Sequence, residues 1–193
     1  MFQVRIHGRG GQGVVTAAEL LSIAAFREGR HAQAFPSFGS ERTGAPVVAF
    51  CRIDEKEIRL REPVLEPDSL IIQDPTLLHQ VDVFGGVAHG ACILINTTRT
   101  LEQLGLKELA HKFRFYAVPA TDFALKHVGR PLPNAALLGG FAAVSGRISL
   151  ESVAAAIREK FAGKVADGNV AAATEAHGRV RGEMEELSDA QAG

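Results

Sequence analysis

Four glycines fall within six residues near the start of the chain, in His7-Gly8-Arg9-Gly10-Gly11-Gln12-Gly13. A short apolar-alternating run, Phe2 to Ile6, precedes them, and a helical pattern starts directly after them at Val14. Glycines in such a place let the backbone turn sharply, take positive φ and come close to a ligand. The helix that follows aims its unpaired N–H groups and the positive end of its dipole at the same point. A strand, a glycine turn and a helix in that order predict an α/β domain with a phosphate cradle. Arg9 adds a charge able to bond two oxygens, and Gln12 adds a polar arm.

Gly8, Gly10 and Gly13 also fit the dinucleotide pattern G-x-G-x-x-G. A nicotinamide-binding unit then calls for Asp or Glu about 20 residues on, to hold the ribose. The equivalent stretch here is Arg30-His31-Ala32-Gln33-Ala34-Phe35, which holds no acid. The triphosphate loop G-x-x-x-x-G-K-[ST] fails as well, since Val14-Val15 stand in its last two places. The residues leave two readings, a phosphate cradle of neither type or a tight strand-to-helix turn with no ligand.

Composition removes several classes. The chain has 193 residues, enough for one domain with a sizeable core, and a formal net charge of -1. There is no basic excess to bind nucleic acid, and one Tyr with no Trp makes a poor stacking platform for bases. No apolar run reaches the ~20 residues that cross a bilayer, and no leader-like segment precedes the first strand, so a cytoplasmic protein is expected. Cys51 and Cys92 are the only cysteines, both in strand-like runs, where two buried free thiols are expected. An iron–sulfur cluster takes four thiolates, so this chain alone holds none in the usual way. The seven histidines are scattered without metal-ligand spacing, and no nucleophile–base set stands out, so no catalytic or metal residue is assigned.

Along the chain, strands are expected at Phe2 to Ile6, His31 to Phe35, Val47 to Ile53, Ser69 to Gln73, Ala91 to Asn96 and Phe113 to Val118. Helices are expected at Val14 to Arg27, Thr76 to Val81, Leu101 to His111, Asp122 to Val128, Ala135 to Val144, Ser149 to Phe161 and Asp167 to Leu187. Asp54-Glu55-Lys56 reads as a turn joining Val47 to Ile53 with a partner strand, Glu57 to Leu60. Gly139-Gly140 inside a strongly apolar helix lowers helix propensity unless another backbone or a partner subunit packs closely there. The expected fold class is α/β, a single Rossmann-like domain over residues 1–187. It has a mostly parallel sheet, a β-hairpin insertion and a helical C-terminal part, and residues 188–193 form a flexible tail.

A second unusual loop, Phe35-Pro36-Ser37-Phe38-Gly39-Ser40-Glu41-Arg42-Thr43-Gly44-Ala45-Pro46, follows the second strand. It sits at the sheet edge that carries the first loop, as a second wall for one ligand or as a loop with a surface Glu41-Arg42 pair. The two loops together resemble the gamma subunit of 2-oxoacid:ferredoxin oxidoreductases, of the pyruvate or 2-ketoisovalerate type. Val47 to Ile53, Leu70 to Leu78 with Asp74-Pro75, Pro133-Asn134 leading to Leu137-Leu138-Gly139, and Phe161 to Asn169 fit the same family, over roughly residues 2 to 181.

The resemblance implies a division of labour. Partner chains, alpha/beta-type subunits and a ferredoxin-like subunit, would hold thiamine diphosphate and 4Fe-4S clusters. This chain would contribute to the coenzyme A site and to assembly. The enzyme would decarboxylate a 2-oxoacid (pyruvate, branched-chain or aryl) oxidatively to acyl-CoA, with electrons passing to ferredoxin or another acceptor. The implied site is Gly8, Arg9, Gly10, Gly11, Gln12 and Gly13 with Ser40, Glu41, Arg42 and Thr43, where Arg9 and Arg42 meet the coenzyme A phosphates. Many relatives read R-G-G where this chain has Arg42-Thr43-Gly44. A stand-alone nucleotide-binding protein and a purely structural subunit are the rival readings.

Overall fold

The computed structural model describes residues 1–37 and 42–192. Strand β1 (Phe2–Arg9) leads through the glycine turn into helix α1 (Val14–Arg27), and β2 (His31–Pro36) and β3 (Pro46–Asp54) follow. Then come β4 (Ser69–Ile72), β5 (Cys92–Asn96) and β6 (Arg114–Val118). The chain closes with α2 (Ala120–Val128), α3 (Asn134–Ser145), α4 (Leu150–Lys160) and α5 (Gly163–Ala192). The strands form one sheet in the order β2-β3-β1-β4-β5-β6. Strands β1, β4, β5 and β6 pair in parallel, and β3 runs antiparallel to both of its neighbours, β1 and β2. The sheet is therefore mostly parallel, as expected from its near-continuous apolar strands.

Strand alternation divides the core in two. Val4, Ile6, Cys51, Ile71, Leu94 and Val118 face the helices, where they meet Leu20, Leu21, Leu137, Phe141 and Ile157. The opposite face carries Leu70, Ile72, Ile93 and Ile95, covered by Leu77, Val83, Leu104, Leu106 and Phe113 from the connections. All the core-forming helices lie on one side. Helix α3 has no polar face, because it packs against α5 and the sheet together, with Ala135 to Ala142 all buried. At Gly139 a Cβ would stand 1.9 Å from the carbonyl oxygen of Ala173 in α5, so the close packing expected of this glycine pair lies inside the domain.

Several expected elements take another form. The anticipated hairpin between Val47–Ile53 and Glu57–Leu60 does not form, and residues 57–60 are not a strand. Both edges of β3 are already paired, by β1 and by β2, so the hairpin is β2–β3 and the second loop is its tip. The segment after β3 is held by two buried arginines instead of a ladder. Arg52 donates to the carbonyls of Glu62 and Pro63, and Arg5 to those of Val64, Leu65, Val83 and Gly85. The helices expected at Thr76 to Val81 and Leu101 to His111 are short 3-10 turns, Pro75–His79 and Lys107–Leu109. In the second case Gly105, at φ 72°, breaks the helical run. The last helix starts at Gly163 and continues through Ala192, past the point where the tail was expected. Among the described residues, no helix is long and apolar enough to cross a membrane.

Candidate functional site

Strand order reverses between β1 and β4, since the chain leaves β1 for β2 on one side and finds β4 on the other. In open α/β sheets the crevice beyond the carboxyl ends of the strands at such a point is the usual ligand position. The glycine turn occupies it. Helix α1 starts from Gly13 at φ 71°, with no side-chain cap and no acidic residue in its first turn. The N–H of Ala17 bonds to the carbonyl of Gly13 at 2.9 Å. The N–H groups of Val14, Val15 and Thr16 precede that bond and have no acceptor within the helix. They open on a cleft of about 250 Å³ that Arg9, Gly10, Gly11 and Val47 also line.

The glycines differ in purpose. Gly8 is still in β1, opposite Val47. At Gly10 a Cβ would lie 2.2 Å from the carbonyl oxygen of Arg42, so this glycine admits the second loop. Gly11 has φ 92° and nothing within 4 Å of a would-be Cβ, so its surroundings are open.

The second loop does meet the first. The Gly10 N–H donates to the Ala45 carbonyl at 2.9 Å and the Gly44 N–H to the Gly10 carbonyl at 3.0 Å, with a parallel bridge between Gly10 and Thr43. Arg42 and Thr43 are exposed beside the turn. Ser40 and Glu41 lie outside the described residues.

Arg9 is placed otherwise than its charge alone implies. Its Nε donates to Asp74 Oδ2 at 3.0 Å and Nη1 to the Gly44 carbonyl at 3.0 Å. Nη2 donates to Thr76 Oγ1 at 2.7 Å and Gln80 Oε1 at 2.8 Å. Gln12 is similarly engaged: Oε1 accepts from the Arg9 N–H at 2.8 Å and Nε2 donates to Asp74 Oδ2 at 2.9 Å. Burial alone would raise the Asp74 carboxyl. Hydrogen bonds from Thr76 and Gln12 and the charge of Arg9 outweigh that and hold it below the usual carboxylate range. Asp74, which the sequence presents only within the Leu70 to Leu78 family match, also caps the 3-10 turn by accepting from the Thr76 N–H at 3.0 Å. The missed signal was its place, just past β4 and next to β1 at the reversal of strand order.

Under the turn lie polar groups to which the sequence assigns no role in the site. Gln73 and His7 are buried, and among the described residues neither amide atom of Gln73 nor His7 Nδ1 has a hydrogen-bond partner. Asn134, at the head of α3, bonds the Gly13 carbonyl at 3.4 Å. Cys51 and Cys92 are free and buried in β3 and β5. No His, Cys, Asp and Glu cluster among the described residues could hold a metal ion.

The family model for pyruvate ferredoxin/flavodoxin oxidoreductase matches residues 3–178. The chain is 47% identical over 176 residues to the pyruvate/ketoisovalerate oxidoreductases common subunit gamma of Thermococcus kodakarensis, covering 91% of this chain and 95% of that one. The crystal structure of pyruvate oxidoreductase subunit PORC from Thermotoga maritima superposes with a TM-score of 0.81 at 35% identity, over 92% of this chain and 96% of that one. A 2-oxoglutarate:ferredoxin oxidoreductase from Magnetococcus marinus, with 2-oxoglutarate, coenzyme A and succinyl-CoA bound, shares the fold at a TM-score of 0.74 and 16% identity. That likeness covers 94% of this chain and 31% of that one. Fold, matched residues and level of identity agree, and the chain belongs to the pyruvate ferredoxin/flavodoxin oxidoreductase family as a gamma-subunit member.

Proposed function

We propose that this chain works within a multi-subunit, thiamine-dependent 2-oxoacid oxidoreductase and lends the head of α1 to the phosphates of coenzyme A. The observation that carries this reading is the uncapped N-terminus of α1 at the reversal of strand order. Three backbone donors and a helix dipole converge there without an acidic residue in the first turn. The glycine-lined cleft, with no acidic residue in its lining, suits a pyrophosphate, and the fold neighbour with coenzyme A bound supports that choice among phosphate ligands. Pyruvate and branched-chain 2-oxoacids are the proposed substrates, after the gamma subunit named for both.

Thiamine diphosphate and the iron–sulfur clusters belong to the partner chains in this reading. Both cysteines here are buried in strands, and the described residues include no cluster of metal ligands. The chain's own contribution is to bind and orient the acyl acceptor, a gain in rate by proximity. Of the two arginines, Arg42 is the cation for phosphate, because the guanidinium of Arg9 is already bonded on all three nitrogens.

Replacing Arg42 with Ala in the assembled oxidoreductase tests the reading. Loss of one charge-assisted hydrogen bond, about 1.5–3 kcal/mol, raises the coenzyme A requirement roughly ten- to over a hundredfold. Reduction of the clusters by the 2-oxoacid before coenzyme A arrives stays at the wild-type rate. Normal assembly with an unchanged coenzyme A dependence would refute the assignment.

A further inference from the structure

Two segments far apart in sequence meet at one carboxylate, and a third joins them through Arg9. Asp74 Oδ2 accepts from Arg9 Nε at 3.0 Å and from Gln12 Nε2 at 2.9 Å. Through Arg9 the contact extends to the Gly44 carbonyl of the second loop, and through Oδ1 to the Thr76 N–H. Gln12 closes the circuit, since its other amide atom accepts the backbone N–H of Arg9. The glycine turn is the segment with most backbone freedom to lose, so its order has to come from such outside ties.

We infer that Asp74 is the positioning residue of the phosphate cradle, locking Arg9 and Gln12 so that both loops hold their binding geometry before the ligand arrives. The inference rests on the coenzyme A reading above for what is bound, and on the hydrogen bonds alone for the lock. Arg9 then acts as a strut. Its charge is matched by Asp74, and attraction for phosphate comes from α1 and Arg42.

The sign of one measurement separates this from simple charge. A carboxylate near a phosphate site repels the ligand, so removing Asp74 by Coulomb's law alone should tighten binding, the more so if Arg9 is released toward the ligand. Loss of a lock does the reverse, because the ligand must then order the loops itself.

The variant Asp74→Asn keeps the size of the side chain. Its amide has one oxygen, and either orientation sets an NH2 against N–H or O–H donors, the Arg9–Gln12 pair or Thr76. In the full chain, hydrogen exchange at residues 8–13 and 42–46 is expected to quicken in this variant, with the rest of the sheet unaffected. In the assembled enzyme the KM for coenzyme A is expected to rise roughly tenfold, while kcat at saturating coenzyme A and 2-oxoacid-driven cluster reduction stay unchanged. Arg9→Ala should match it, and the double variant should be no worse than either. Unchanged exchange in both loops, or a KM that falls, would overturn the lock. Faster exchange with an unaltered KM would keep the lock and refute the coenzyme A reading instead.

Discussion

His7 Nε2 accepts from Arg5 Nε at 3.1 Å on the buried side of β1, which fixes the neutral ring with its proton on Nδ1. Burial first, and the Arg5 charge second, lower its pKa from the usual 6.5 to about 3. An unfolded chain takes up that proton near pH 6.5 and the folded chain does not until about pH 3, so this group's contribution to stability falls as pH falls through that window. At pH 4.5 the loss relative to pH 7 is about 2–3 kcal/mol. Urea unfolding at several pH values should show a shallower decline in His7→Gln than in wild type, and equal slopes would contradict the account. The thiols make a second check. Burial pushes Cys92 up to about 12 and Cys51 higher still, so neither should react with a thiol reagent at pH 8 until the chain is denatured, when both should. That the cysteines are buried was legible in the apolar runs around them. The difference between Arg9 and Arg42 was not, because the acceptors that engage Arg9 come from other loops, which no local pattern reveals.

At the scale of elements, α3 and α5 cross so closely that Gly139→Ala forces the two backbones apart. An expected loss of about 1–3 kcal/mol follows from overpacking. Gly178, on the exposed side of α5, has nothing within 4 Å of its would-be Cβ, and alanine there should add roughly 0.8–1 kcal/mol through helix propensity alone. Thermal unfolding of the two variants should move in opposite directions, and an unchanged or raised midpoint in Gly139→Ala would show that the crossing is not tight. The parallel strands and α3 were readable as continuous apolar runs, the glycine turn by its composition, and α1 and α4 by period or cap; Ser149, for example, caps α4 by accepting from the Ser152 N–H at 3.1 Å. The pairing of β3 was not readable. Its alternation suits a partner on either side, and only the whole sheet decides that β1 and β2 take both edges. The 3-10 turns escaped for a related reason: a few apolar residues under a sheet, such as Leu77, satisfy the core without completing an α-helix.

For the molecule as a whole, the proposed division of labour predicts a purified chain with no stoichiometric iron, no visible absorbance and no 2-oxoacid oxidation of its own. Iron analysis and an activity assay before and after adding the partner subunits would check this, and turnover by the chain alone would contradict it. Another consequence lies in how Arg5 and Arg52 hold the segment after β3. Their acceptors there are backbone carbonyls, of Glu62, Pro63, Val64 and Leu65. Every amino acid offers a carbonyl, so apart from Val64, whose own side chain is buried, this stretch can change its side chains while its path stays pinned from beneath. A survey of natural variation would record it as a changing loop around one apolar position. The two arginines, which hold it by backbone carbonyls, and the buried Val64 would bear most of the selection for its shape.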